Sequence, residues 1–246
     1  MSVDLRSDTV TRPTAAMREA MLRAEVGDDV LGDDPTTRRL EERIAQLTGH
    51  AAALFMPSGT MANQVAIAVH TRPGDEVLLS DAAHPFHYEA AGAAVIAGVQ
   101  LRLLPTERGL IDVASVAPSI RPDDPHFAPA TLLCVEDTAN RGGGTWYPQA
   151  HLDALLAAAG PLRTHLDGAR AFNAAVAAGQ PLHERTAGFD SVSVCFSKGL
   201  GAPVGSALCG DAAFIHRARR VRKMLGGGLR QSGFLAAAAL YALEHH

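Results

Sequence analysis

Four short strings in this sequence carry residue types that could do chemistry. The first, Ser191 to Gly205 (SVSVCFSKGLGAPVG), is an apolar stretch that delivers Ser197 and Lys198 to its end and is followed at once by Gly199 and Gly201. In a dry crevice the ammonium form of a lysine is destabilised relative to the free amine, the form that condenses with a carbonyl. Taken alone, the same string also describes a surface lysine on a turn. The second string, Thr164 to Ala174 (THLDGARAFNA), ends a strand at Asp167 and turns at Gly168 past Arg170. A carboxylate there faces the crevice that Lys198 faces, and could pair with a protonated pyridine nitrogen and keep a pyridoxal ring strongly electron-withdrawing. A helix N-cap would explain the same aspartate.

The third string, Phe55 to Asn63 (FMPSGTMAN), runs a strand into a turn of Ser58, Gly59 and Thr60 that opens a helix. Backbone N–H groups at a helix start, with two hydroxyls, make a monophosphate site that needs no fixed charge. The string has neither Walker A spacing nor a dinucleotide glycine pattern, and plain N-cap turns share its composition. Lys223 and Arg230, flanking a triple glycine, could add charge to a phosphate from a neighbouring subunit or could simply be solvated. The fourth string is Asp81 to Pro85, where His84 follows a strand ending at Ser80 and overhangs the same strand ends. An imidazole there can stack on a flat cofactor or act as a base. His126, in DDPHFAP, is a second candidate base.

The elements that must position these groups follow from the apolar pattern. Met17, Ala20, Met21 and Ala24 have helical spacing, and a second helix starts at Asp34-Pro35 with Leu40, Ile44 and Leu47 inward and Gly49 at its end. Apolar runs at 52–55, 77–79, 93–97, 132–135, 165–166 and 192–196 then alternate with helical stretches. The pattern predicts an α/β fold: a three-layer α/β/α sandwich around a mostly parallel sheet, with ligands at the strand C-termini. Ser206 to Cys209 follows too closely for a crossover and predicts one antiparallel strand. Helices are predicted over Phe214 to Leu225 and over Gln231 to Leu243.

Composition bounds the function. With 246 residues, 47% hydrophobic and 20% charged, the chain can fill a sizeable core and reads as one domain. A net charge of −4 gives no global attraction for a phosphate backbone, so nucleic acid is not an expected partner. No run approaches the roughly 20 apolar residues of a membrane span. The N-terminus lacks the apolar stretch of a signal peptide, which makes the cytoplasm the expected compartment. Cys134, Cys195 and Cys209 sit in apolar runs without zinc-like spacing. Buried thiols, a reducing compartment and no metal are expected.

Taken in order, DLRSDTVTRP, VGDDVLGDDPT, FMPSGTMAN, the DAAH turn, HLDGARAFNA, SKGLGAPVGS and RKMLGGGLRQSG resemble the low-specificity L-threonine aldolases, pyridoxal-phosphate (PLP) enzymes of the aspartate aminotransferase fold (fold type I), from Asp4 to the end. The resemblance implies Lys198 as the Schiff-base lysine, Asp167 on the pyridine nitrogen, and Ser58, Gly59 and Thr60 around the phosphate. It implies His84 stacked on the ring, with His84 or His126 as the base. Ser7 and Arg170 would hold the substrate carboxylate or the cofactor phenolic oxygen, while Lys223 and Arg230 would reach a site across a subunit boundary in a homo-oligomer, a dimer or tetramer. The implied reaction is retro-aldol cleavage of L-threonine or L-allo-threonine to glycine and acetaldehyde.

Family members are longer, so residues 1–246 are expected to be the PLP-binding large domain with its N-terminal arm, without the small C-terminal domain. Where the family carries Glu-Asn-Thr-His-Asn, this chain has Glu136-Asp137-Thr138-Ala139-Asn140. Two other readings stand beside the aldolase: a PLP enzyme eliminating a different β-substituent or cleaving another Cα–Cβ bond, and a cofactor-binding remnant that does not turn over.

Overall fold

The structure is a computed structural model and describes residues 3–246. Its centre is a seven-stranded sheet in the order β1-β9-β8-β7-β6-β2-β3. The strands are β1 (Ala52–Met56), β2 (Glu76–Ser80), β3 (Gln100–Leu104), β6 (Ala130–Glu136), β7 (Arg163–Gly168), β8 (Ser191–Cys195) and β9 (Ser206–Gly210), while β4 (Thr106–Glu107) and β5 (Leu110–Ile111) form a separate small hairpin. The pairs from β3 through β2, β6 and β7 to β8 are parallel. β9 runs antiparallel to both β8 and β1, as its short connection requires. β1 therefore points the same way as β8, and six strands present their C-terminal ends on one edge.

Helices cover both faces: α1 (Ala15–Leu22), α2 (Pro35–Thr48), α3 (Gly59–His70), α4 (His84–His87), α5 (Val116–Ser119), α6 (Gln149–Ala159), α7 (Ala171–Ala178), α8 (Leu182–Thr186), α9 (Ala212–Met224) and α10 (Gly233–His245). Local signals fix their ends. Asp34 caps α2 by accepting from the Thr37 N–H at 2.8 Å, Pro35 occupies its first turn, and Gly49 closes it at φ 69°. Alternate residues of the buried strands feed opposite layers. Phe55, Leu78, Leu133, Val135, Leu166, Val192 and Val194 pack in one cluster with Leu40 and Ile44 of α2 and Leu152 and Leu155 of α6. Leu54, Met56 and Leu208 face α3 and α9.

One expected strand is not there. Ala93–Ala97 forms a π-helical turn that Gly98 ends at φ 69°, and the edge strand β3 begins only at Gln100. A short alanine-rich apolar run has no periodicity that separates strand from helix, and alanine's helix preference decides the outcome. The three cysteines are buried and unpaired, as expected.

Candidate active site

The C-terminal edge of the sheet gathers the predicted residues. Asp167 ends β7, next to Glu136 at the end of β6 and one register step from β8. Lys198 lies three residues beyond β8, and its backbone carbonyl accepts from the Thr11 hydroxyl of the N-terminal arm at 2.8 Å. Ser58 caps α3 by accepting from the Met61 N–H at 3.1 Å, so the first amides of that helix open toward the same edge. Ser58, Gly59, Thr60, His84, Asp167, Arg170 and Lys198 line one cavity of about 160 Å³. It continues into an outer chamber of about 630 Å³ that Ser7, Asp8, His84, Asn140, Arg170 and Lys198 border.

Two groups test whether a phosphorylated pyridine ring fits. Ser206, at the start of β9, has a buried hydroxyl oxygen without a hydrogen-bond partner, and a Cβ added to Gly59 would come within 3.5 Å of it. An orphaned hydroxyl beside free helix-start amides is the donor set that a phosphate completes. At the other end, Asp167 is 3% exposed, accepts from Asn63 Nδ2 at 2.8 Å and from the Ala169 N–H at 3.1 Å, and has no arginine or lysine paired with it among the described residues. Such a carboxylate suits a protonated ring nitrogen. The residues present fit PLP.

The carboxylates around this point crowd one another. Glu136 accepts from the backbone N–H of His84 at 2.7 Å and of Asn140 at 2.9 Å. Burial, reinforced by the charge of Asp167, pushes its carboxyl up to about 7. His84 is half-buried, and its Nδ1 lies 2.9 Å from Oε1 of buried Glu89. That bond, aided by Asp167, raises the imidazole above its ordinary value against the opposing effect of burial. Nε2 is thereby left as the nitrogen without a protein partner.

His126, Lys223 and Arg230 lie apart from these two chambers. His126 is exposed, bonds Asp124 at 2.7 Å, and stands on the loop that enters β6 at the N-terminal end of the strand. A single chain therefore does not bring it to Lys198, because the site occupies the opposite edge. Lys223 and Arg230 are exposed and border neither chamber; Arg230 pairs with Asp28 at 2.8 Å. Ser7 and Arg170 do meet at the outer chamber, but Asp8 grips the Arg170 guanidinium with two bonds of 2.6 and 2.9 Å. This ion pair holds Asp8 below the usual carboxylate range.

Sequence reasoning assigned no role to Asn63, Glu89, Glu136 or Asp8. Each lies inside or beside a quoted string, but such a polar residue shows itself only through its partners, and most of these come from other elements of the fold. In the departed Glu-Asp-Thr-Ala-Asn string, Asp137 bonds Arg185 instead of facing the cavity.

Comparison with known proteins agrees with this geometry. The chain is 50% identical over its whole length to low-specificity L-threonine aldolase 1 of Arabidopsis thaliana, spanning 70% of that protein. It is 49% identical over 99% of its length to the low specificity L-threonine aldolase of Escherichia coli K12, spanning 73% of it. The structure of Leishmania major threonine aldolase superposes with a TM-score of 0.83 over 97% of this chain and 71% of that one, at 22% identity, which shows a shared fold. With residues 4–246 matching throughout, the chain belongs to the beta-eliminating lyase family.

Proposed function

We propose that this protein is a PLP-dependent aldehyde-lyase that cleaves L-threonine and L-allo-threonine to glycine and acetaldehyde. The observation that carries the reading is that Lys198, Asp167, His84 and the Ser58-Gly59-Thr60 helix start line one cavity. The 50% identity to low-specificity L-threonine aldolases supports the substrate class. When bound, PLP supplies an electron-withdrawing ring that accepts the electron pair of the breaking Cα–Cβ bond.

The chain's own residues do the rest. Lys198 supplies the amine that attaches the cofactor, and the first amides of α3 with Ser58, Thr60 and Ser206 hold the phosphate. Asp167 keeps the ring nitrogen protonated. His84 covers the ring and, with Nδ1 committed to Glu89, takes the β-hydroxyl proton at Nε2. Arg170 and Ser7 orient the substrate carboxylate, and Asp8 yields part of its hold on Arg170 as it enters. By fixing the substrate carboxylate, that grip would favour aldol cleavage over elimination or racemisation.

Residues 1–246 form one cofactor-binding domain in this reading. The protein is a homo-oligomer in which Lys223 and Arg230, absent from the site of their own chain, reach the site of a neighbour. Three buried free thiols support a reducing, cytoplasmic setting, and no helix among the described residues is long and apolar enough to cross a membrane.

The test is an absorbance scan with PLP, before and after L-threonine, with acetaldehyde assayed in the same tube. A lysine-bound cofactor band with acetaldehyde release is expected, and Lys198→Ala abolishes both. A band that L-threonine shifts without acetaldehyde release sinks the aldolase in favour of another β-substituent or a non-turnover remnant. A band that survives Lys198→Ala removes the lysine from its role.

A further inference from the structure

On the sheet face under α3, two apolar clusters flank a polar seam. Leu54, Met56 and Leu208 pack with Val65 and Phe214 on one side, and Val77, Leu79 and Leu132 with Ile67 on the other. Between them, β7 and β8 present His165, Asp167, Ser191 and Ser193, all buried. A buried polar group without a hydrogen bond costs roughly 1–3 kcal/mol, so a seam this deep has to be internally satisfied. It is, and its bonds share a direction.

Ionised carboxylates only accept, so the Asn63 NH2 group faces Asp167 at 2.8 Å and Glu89 at 2.9 Å. The Asn63 oxygen then accepts from the Ser193 hydroxyl at 2.9 Å and from His165 Nε2 at 3.3 Å. A proton on His165 Nε2 makes its Nδ1 an acceptor, which the Ser191 hydroxyl fills at 2.8 Å. The Ser191 oxygen in turn accepts from Nε2 of His70, at 2.7 Å. His70 ends α3, stacked on Phe214 with ring centroids 4.5 Å apart. Burial lowers both imidazoles to about 3, so each is neutral, with one donor and one acceptor nitrogen.

We propose that His70, Ser191, His165 and Asn63 form a one-directional hydrogen-bond relay that fixes the Asn63 amide with its NH2 group toward Asp167 and so orients that carboxylate toward the cofactor ring nitrogen. His165 and Ser191 are positioning residues: neither borders the cavity. In the opposite tautomer, His165 Nε2 would present a lone pair to the Asn63 oxygen. The amide would turn over, and its oxygen would meet the oxygens of two carboxylates, which repel it. The relay rests on the reading that Asp167 meets the ring of PLP.

Two measurements test it. Nitrogen-15 spectra of histidine-labelled, cofactor-free protein at neutral pH should show His165 and His70 as neutral Nε2–H tautomers; His165 as the Nδ1–H tautomer or as imidazolium overturns the relay. Ser191→Ala removes the donor to His165 and should weaken PLP binding, followed by absorbance titration, about fivefold, the loss of one hydrogen bond. Ser191→Thr, which keeps the hydroxyl, should restore it. An alanine variant that binds PLP as the wild type does overturns the relay's influence on the site. Should that variant not fold, the wild-type tautomer still decides. A wild-type protein that takes up no PLP sinks the reading of the site, and the His165 tautomer then judges the relay alone.

Discussion

Buried charge occurs in two settings in this molecule. Away from the site, Arg185 is 1% exposed, pairs with Asp137 and donates to the Tyr147 carbonyl at 2.8 Å. Arg222 likewise pairs with Asp29 at 2.7 Å and donates to the Phe55 carbonyl at 2.7 Å. At the site, Glu89, Glu136 and Asp167 are buried together, with the half-buried His84 as their one ion-pairing partner among the described residues. Structural carboxylates are paired with buried arginines, whereas those at the site have no arginine or lysine bonded to them among the described residues, an arrangement that a cationic ring would complete. Self-repulsion at a functional site costs stability in the empty protein and preorganises it for the ligand.

The sharpest way to break this contrast is to unpair a structural charge. Arg185→Ala leaves Asp137 buried without its cation and should destabilise the fold by about 3–5 kcal/mol, read as a lower urea midpoint at unchanged slope. A loss below about 1 kcal/mol would erase the distinction between the two settings. At the site the order reverses. Asp167→Asn should cost kcat roughly 10²–10³-fold, the loss typical of removing one preorganised electrostatic partner, while moving the urea midpoint less than Arg185→Ala does. An active Asp167→Asn enzyme would remove the carboxylate from the ring nitrogen.

The same contrast explains what could be read before the structure. The parallel sheet, the antiparallel return at Ser206 and the positions of Lys198, Asp167, His84 and Ser58 follow from contiguous strings, because strand ends and helix starts are local events. The Ala93–Ala97 turn does not, since so short an apolar run has no periodicity that separates strand from helix. His126 reads in the sequence as a second candidate base, yet in one chain its loop precedes β6 and lies at the N-terminal end of the strand, away from the site. Asn63, Glu89 and Glu136 were out of reach for a different reason. Their meaning lies in partners 26 to 104 residues away, as in Asn63 with Glu89 and Asn63 with Asp167, and a lone sequence carries no record of such pairings.

The smallest effect to pursue is the pH dependence that the crowded carboxyl contributes. The Glu136 carboxyl keeps its proton in the folded protein up to about pH 7, while in the unfolded chain it gives it up near the ordinary value of 4.5. Between those values folding takes up a proton at this carboxyl, so its contribution to stability falls as pH rises from about 4.5 and levels off above about 7. The span corresponds to roughly 3 kcal/mol at most. His84, raised chiefly by Glu89, acts in the same sense: its contribution is present at low pH and lost as pH climbs through its folded value. His70 and His165, held neutral by burial, act in the opposite sense up to about pH 6.5, so the carboxyl is read as the difference in urea midpoint between the cofactor-free wild type and Glu136→Gln from pH 5 to pH 8. That difference should move against the wild type as pH rises to about 7 and then level off. PLP should shrink the change, since a ring cation favours the ionised carboxyl. A difference that does not vary with pH would mean that Glu136 is already balanced within the chain, as Asp137 is by Arg185.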